Sequence, residues 1–327
     1  MESESRPDVG EELGVVLVAH RRADLALKSI ATLPALPRAR CVAVINAPDL
    51  ADAGELRSLS EVATVVSPER PQGYGANLNL GVRVLPREVK SLLLANDDVE
   101  YRPGTVAKLL ETLREDPGVG IVGPAIRQLH GRQPPLQPQF PTRLAIALNM
   151  SVLPLGPAWD VLSRRAGLIP PDDPAERERN GWVIGAAMLV RTDAFHQVGG
   201  FDEDFFLYYE EIDFCYRLRE TGWRIAWRAD APAEHLHAAS TGGSHLPQVF
   251  FQSERLYYRK RLGRLRLALF EAGLVGIYAA SWIYNVVLAV VRPATARRRL
   301  AMLRGRWATR MFLLPPGRVG GRAGRAH

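Results

Sequence analysis

Five short apolar runs recur through the first 125 residues of this chain: Gly14–Ala19, Cys41–Ile45, Val62–Val66, Ser91–Ala95 and Val119–Val122. Each is aliphatic, and none alternates apolar with polar. Each therefore reads as a strand covered on both faces. Segments of helical period lie between them, over Asp24–Leu33, Ala76–Leu85 and Thr105–Arg114, with a fourth over Leu50–Leu59. Strand and helix in turn at this spacing imply an α/β fold: a Rossmann-like, mostly parallel sheet flanked by helices. Such a sheet takes its ligands at the carboxyl ends of its strands.

The residues just past those strands are the first candidates. His20, Arg21 and Arg22 follow the first strand, Asn46 and Asp49 the second, and Asn96, Asp97 and Asp98 the fourth. The third leads into RPQGYGANLNLG, where Gly73 and Gly75 permit a tight backbone and Asn77 and Asn79 open a helix. Adjacent acids after a buried strand suit Mg2+ or Mn2+, hard cations that share their shell between carboxylates and substrate phosphates. The plain alternative for Asp97–Asp98 is a turn or helix cap before Pro103.

From His130 to Asp173 the pattern degrades. The prolines of GRQPPLQPQFP exclude a helix or a central strand, leaving a loop-rich insertion with a short helix near Leu144–Val152. Order returns with GWVIGAAMLVRTDAF, a strand and then a short helix over Asp193–Val198. Trp223–Trp227 reads as the last strand, followed by a polar loop with His235 and His237. Between these lies GGFDEDFFLYYEEIDFCYRLRETGW, which sets Glu210, Glu211 and Asp213 among Phe205, Phe206, Tyr208, Tyr209, Ile212 and Phe214. One reading of the acids is structural. They favour the positive end of a helix, at about 0.3–1 kcal/mol each, and Asp213 pairs with Arg217 one turn on. The other is chemical: a carboxylate boxed by rings has the raised pKa of a general base.

Charge divides the chain unevenly. Sixteen of its 42 Lys and Arg lie from Arg255 onward, against one acid, Glu271, so a net +7 separates into +15 there and −8 before it. The acidic body argues against nucleic acid as a partner, and the basic tail points to an anionic membrane surface. Ala272–Val291 holds 20 residues without a charge, enough to span a bilayer. Three placements stay open for it: a membrane-inserted or in-plane anchor, a helix packed on the body or a dimer mate, and a single span. Cys41 and Cys215 sit in apolar patterns without metal spacing. They fit a reducing, cytoplasmic setting, and the acidic N-terminus carries no secretory signal.

Four stretches together carry a resemblance: VVLVAHRRADLALKSIATL, RPQGYGANLNLGV, LLLANDDV, and IGAAMLVRTDAFHQVGGFDEDFFLYYEEIDFCYRLRETGWRI with HLHAASTG after it. In that order they resemble bacterial family 2 glycosyltransferases of the A-type glycosyltransferase fold, above all the rhamnosyltransferase-like branch. The likeness runs over residues 13–243 and is weak between 127 and 178. It implies inverting transfer of a sugar from a nucleotide-diphosphate donor to a hydroxyl of a glycan or lipid-linked glycan, in cell-surface polysaccharide or glycolipid assembly. It implies a divalent cation on Asp97, with Asp98 as the runner-up and His235 as a further ligand.

The family's base is the second acid of a Glu-Asp pair. Here that pair is Glu210–Glu211, so Glu211 is the expected base, with Asp213 behind it. The donor side would draw on His20, Arg22, Asn46, Asp49, Gly73, Asn77, Asn79, Asn96, Trp182 and Gly185. Where the family often reads Asp-Asn-Ala-Ser after the second strand, this chain has Ile45-Asn46-Ala47-Pro48-Asp49. Asn46 or Asp49 then replaces the carboxylate that touches the nucleobase.

The expected organisation is a disordered 1–12, a catalytic domain over 13–254 with a nucleotide-sugar half to 126 and an acceptor half after it, a basic and apolar helical extension over 255–316, and a disordered 317–327. The expected location is the cytoplasmic face of the membrane, with self-association left open. Two enzymatically different readings stand beside this one: a non-catalytic nucleotide-sugar or glycan binder, and a metal-dependent nucleotidyltransferase.

Overall fold

The computed structural model describes residues 12–128, 138–151, 156, 158–169, 181–236 and 247–311. The readings of the N-terminal segment to residue 11, the proline-rich centre of the insertion, His237 and the 317–327 tail lie outside them.

The sheet has eight strands in the order β3-β2-β1-β4-β7-β6-β8-β5. They are β1 (Leu13–Ala19), β2 (Cys41–Ile45), β3 (Thr64–Val66), β4 (Ser91–Asn96), β5 (Val99–Tyr101), β6 (Val119–Gln128), β7 (Ala187–Arg191) and β8 (Arg224–His235). One half, β3-β2-β1-β4, is parallel throughout. In the other half β7 runs antiparallel to both β4 and β6, and β5 runs antiparallel to β8, while β6 and β8 are parallel. Strands β1–β4 thus form a parallel unit, to which β5–β8 add a mixed one.

Helices α1 (Ala23–Ala31), α2 (Ala53–Val62) and α3 (Tyr74–Val84) cover the parallel half, and α4 (Thr105–Glu115) packs on β6 and β8. Helix α2 starts later than its pattern predicts because Asp52 caps it, accepting from the Gly54 and Glu55 amides. It also takes Val62 from the expected third strand. Successive residues of β1 face opposite layers: Val15 and Leu17 join one apolar cluster, Val16 and Val18 the other. That is why the strands read as unbroken apolar runs.

Strands β6 and β8 are longer than the sequence predicts. The register slips between Pro124 and Ala125, where β8 jumps from Arg228 to Pro232. A proline is tolerated at such a bulge. The extension past it carries β8 on to His235.

The second half adds α5 (Arg143–Met150), α6 (Ala158–Arg165), α7 (Thr192–Gln197) and α8 (Glu210–Glu220). Two long helices follow, α9 (Pro247–Val291) and α10 (Pro293–Met311). The boundary expected at 254 falls inside α9. The helix is instead broken at Gly263, whose φ 75° and ψ 169° only glycine adopts without strain. The first arm, 247–262, packs on the sheet domain. Tyr257 and Tyr258 share an apolar cluster with Phe205, Tyr209 and Ile212. The second arm packs along α10, with Tyr278 against Trp307 and Ser281 and Asn285 fully buried.

Candidate active site

Backbone pairing builds the first part of the site. In the β5–β8 pair Val99 lies opposite His235, and the Leu236 amide donates to the Asp98 carbonyl at 3.0 Å. This register puts the His235 Nε2 3.1 Å from Asp98 Oδ1 and 3.3 Å from Asn96 Nδ2. Asp97 and Asp98 are 1% and 2% exposed, and Asp97 Oδ2 and Asp98 Oδ2 accept no hydrogen bond among the described residues. Burial first, and Asp98 second, push the Asp97 carboxyl well above the usual range. Two buried adjacent carboxylates with so few donors are unfavourable unless a cation meets them.

No group of three or more His, Cys, Asp or Glu is gathered as a metal-binding cluster among the described residues. Asp97, Asp98 and His235 nonetheless offer the one or two carboxylates with which proteins hold Mg2+ or Mn2+ when phosphates complete the shell.

The second part comes from α8. Tyr208 and Tyr209, immediately before it, both have φ 68°. Consecutive non-glycine residues in the left-handed region are rare, and such strain gathers at functional sites. The turn they make directs Glu210 and Glu211 inward. Glu210 is 3% exposed, and Oε2 of each acid is buried without a hydrogen-bond partner among the described residues. Burial pushes Glu211 up to about 7, and burial with the charge of Glu211 pushes Glu210 well above the carboxylate range.

Two small features join the acid pairs. The Asn96 amide donates to the Ala186 carbonyl, and the Glu211 side chain lies against Gly185, 3.4 Å from where a Cβ would stand. The Tyr74 hydroxyl donates to the Gly185 carbonyl at 2.8 Å. Burial first, then Glu210, Tyr101, Glu211 and Asp98, raise its pKa, so the Tyr74 ring lies within the field of both pairs. Sequence reasoning passed over Tyr74, although it is the one aromatic in a segment of glycine and asparagine. Its placement depends on Gly73, where a Cβ would sit 2.5 Å from the Phe205 carbonyl.

Other predicted residues hold the frame. Asn46 Nδ2 donates to the Gln72 carbonyl while Asn46 Oδ1 accepts from the Gln72 amide, and Gln72 Nε2 donates to Asn77 Oδ1. Asn79 grips both polar groups of Phe201 and the Glu203 carboxylate. Trp182 Nε1 donates to the Gln139 carbonyl. Arg22 holds Asp24 through two 2.7 Å bonds and is within electrostatic reach of Asp97. His20 and Asp49 are exposed at the strand ends.

Asp213 has the structural role its spacing allows. Arg217 Nε reaches one oxygen at 2.7 Å, and Arg261 from α9 binds the other. The first arm adds more ties. The Tyr209 hydroxyl donates to Glu254 Oε2 at 3.3 Å, the Ser253 hydroxyl donates to the Leu207 carbonyl at 2.7 Å, and Lys260 pairs with Asp202. Glu254 and Arg261 were missed because a basic run reads as a solvated face when its buried partners lie some 50 residues away.

Known proteins can now be set beside this geometry. The family model described as glycosyltransferase like family 2 matches residues 47–259. An N-acetylglucosaminyl-diphospho-decaprenol L-rhamnosyltransferase of Mycobacterium tuberculosis is 36% identical over 160 residues, 47% of this chain and 50% of the relative. A low-salt glycan biosynthesis hexosyltransferase of Haloferax volcanii is 30% identical over 157 residues, 47% of this chain and 45% of the relative. The chain thus spans about half the length of these curated relatives. A mannosyltransferase of Pyrobaculum calidifontis, solved with GDP-Man and Mn2+, superposes with a TM-score of 0.54 at 15% identity, over 95% of this chain and 91% of the other. That likeness shows a shared fold. By its family match the chain belongs to glycosyltransferase-like family 2, and among the members of known activity it is similar to rhamnosyltransferases.

Proposed function

We propose that the protein is an inverting glycosyltransferase that moves a sugar from a nucleotide-diphosphate donor to a hydroxyl of a lipid-linked glycan. The observation that carries this is the convergence of two buried, hydrogen-bond-poor acid pairs, Asp97–Asp98 and Glu210–Glu211, on Tyr74 and Gly185. Glu211 accepts the proton of the acceptor hydroxyl. The acceptor oxygen bonds to the anomeric carbon as the bond from that carbon to the diphosphate oxygen breaks, and the nucleoside diphosphate leaves. A base with a pKa near neutrality suits this task. Asp97, Asp98 and His235 would hold a divalent cation, which when bound offsets the charge of the leaving diphosphate. Asn46, Asn77 and Gly73 keep the loop at Gln72 in shape, and His20, Arg22 and Asp49, at the ends of β1 and β2, would meet the donor.

The lipid side of the reading rests on α9 and α10. The helix spans Gln248–Val291 with a mean hydropathy of 1.9 in its most apolar window, of which 17% is buried. Ile283, Val287 and Val290 are more than 60% exposed. Arg264, Arg266 and Arg297–Arg299 flank this face. An in-plane seat on anionic lipid at the cytoplasmic face satisfies both the apolar face and the cations.

The test is slow donor hydrolysis across a panel of nucleotide sugars with Mn2+ or Mg2+. One donor is expected to turn over, with Asp97→Ala losing about 10²–10³-fold. No turnover and no stabilisation by any donor or nucleoside diphosphate, in buffer or in detergent, overturns the reading.

A further inference from the structure

The second arm of α9 does not close against α5. A groove of about 540 Å3 runs between them, within the ~300–1,000 Å3 of ordinary ligand sites. Leu144 and Ala147 form one wall, and Phe270, Leu274 and Ile277 the other. Gly273 stands in the second wall, and a Cβ there would meet nothing within 4 Å. The α5 end differs in character. It is made by Thr142 and Arg143. Thr142 is engaged as the helix cap, accepting from the Ala145 amide and donating to the Ala166 carbonyl. Arg143 is exposed there, at the positive end of the helix.

An apolar trough with one cationic end matches an amphiphile with one anionic end. A soluble sugar phosphate would leave Phe270 and Ile277 facing water, and a neutral hydrocarbon would leave Arg143 without a counter-charge. Continuity points the same way. The trough lies on the arm whose outer residues, Leu269, Ile283 and Val287, are exposed. Its Leu274 belongs to the same apolar cluster as Ile146, Tyr209 and Ile212, which reaches the acid pair. We infer that the groove between α5 and the second arm of α9 holds a polyprenyl chain, with its phosphate at Arg143. The acceptor is thereby drawn from the bilayer toward Glu211. This rests on the transferase reading above.

The probe is polyprenyl phosphate bearing a diazirine on an isoprene unit near the head, photolysed with the full chain in phosphatidylglycerol nanodiscs. Labels are expected on 142–150 and 270–277, to be competed by unlabelled polyprenyl phosphate and not by added phosphatidylglycerol. Gly273→Leu, which fills the trough, is expected to lower labelling about tenfold, a change of 1.4 kcal/mol. Gly273→Ala keeps most of the labelling, and Arg143→Gln weakens it. Unfolding midpoints confirm that each variant folds. Equal competition by phosphatidylglycerol makes the groove an ordinary bilayer contact and overturns the inference. So does labelling that Gly273→Leu leaves intact, or labelling confined to a contact between two copies. Donor hydrolysis is measured on the same wild-type sample. Labelling without hydrolysis overturns the transferase reading and leaves the groove standing, whereas hydrolysis without labelling overturns the groove alone.

Discussion

The two halves of the sheet solve different problems. In the parallel half, β3-β2-β1-β4, helices α1, α2 and α3 connect the strands in turn, and the polar residues lie at the strand ends. In the mixed half, the residues that matter sit on a strained turn, Tyr208–Tyr209, and the turn is braced from outside the sheet. The brace is the first arm of α9, through Glu254 on Tyr209, Ser253 on the Leu207 carbonyl and Arg261 on Asp213. The donor-side residues are thus held by the sheet and the loops that cross it, whereas the turn that carries the expected base leans on a helix outside the sheet. The structural role of acids at a helix start and their chemical role are also separated within one turn of α8. Asp213 is paired twice, while Glu210 and Glu211 each keep an oxygen without a hydrogen-bond partner among the described residues.

The largest test of this contrast is Glu211→Gln, expected to lower kcat by about 10²–10⁴-fold while donor affinity, read by thermal shift, holds. In the wild type kcat/KM should rise with pH through about 7, as the Glu211 carboxyl ionises. Stability should move in the opposite sense. A carboxyl raised in the fold binds its proton more tightly there than in the unfolded chain, so stability is full below about 4.5 and declines as pH rises through about 7. Glu211→Gln removes that decline, and chemical denaturation at pH 5 and pH 8 should show the variant gaining on the wild type only at the higher pH. A variant that tracks the wild type at both would leave Glu211 an ordinary surface acid.

Next in size, Leu93→Ala in the buried core of β4 should cost about 2–5 kcal/mol in denaturant unfolding. It should leave the midpoint of the pH profile in place, because the parallel half does not hold the base. Arg261→Met should cost about 2–3 kcal/mol, since Asp213 keeps only Arg217. It should also lower kcat with little change in donor KM, the split that distinguishes a brace from plain packing. An Arg261→Met enzyme with unchanged kcat would dissolve the contrast. Gly73→Ala, meeting the Phe205 carbonyl, is expected to cost about 1–3 kcal/mol. Asp49→Ala, exposed at its turn, should fall within about 0.5 kcal/mol in stability and show itself only in donor KM.

The same contrast governs what could be read from residues alone. The strands of the parallel half were legible because burial on both faces leaves an unbroken apolar run. Asp97 and the Glu210–Glu211 pair stand out in the sequence because acids beside buried segments conflict with core composition, and the structure does bury Asp97 and Glu210. The extension of β8 was not, because RADAPAEH has the proline and charges of a loop and becomes a strand only through its pairing with β6 and β5. The brace was hidden for a related reason. Tyr257, Lys260 and Arg261 look like a solvated basic run, and nothing local reveals that Asp213 or Asp202 awaits them.

Gly263 gives the helix that passes through it two unrelated duties. On one side the chain braces the turn that carries Glu210 and Glu211, and on the other it presents an oily face and a row of guanidinium groups. Removing everything after 263 and removing everything after 246 are therefore different operations. The shorter cut should yield a soluble protein that still hydrolyses donor but has lost its hold on vesicles. The deeper cut should take the chemistry with it. A single residue without a side chain divides the arm that leans on the sheet domain from the arm that faces outward.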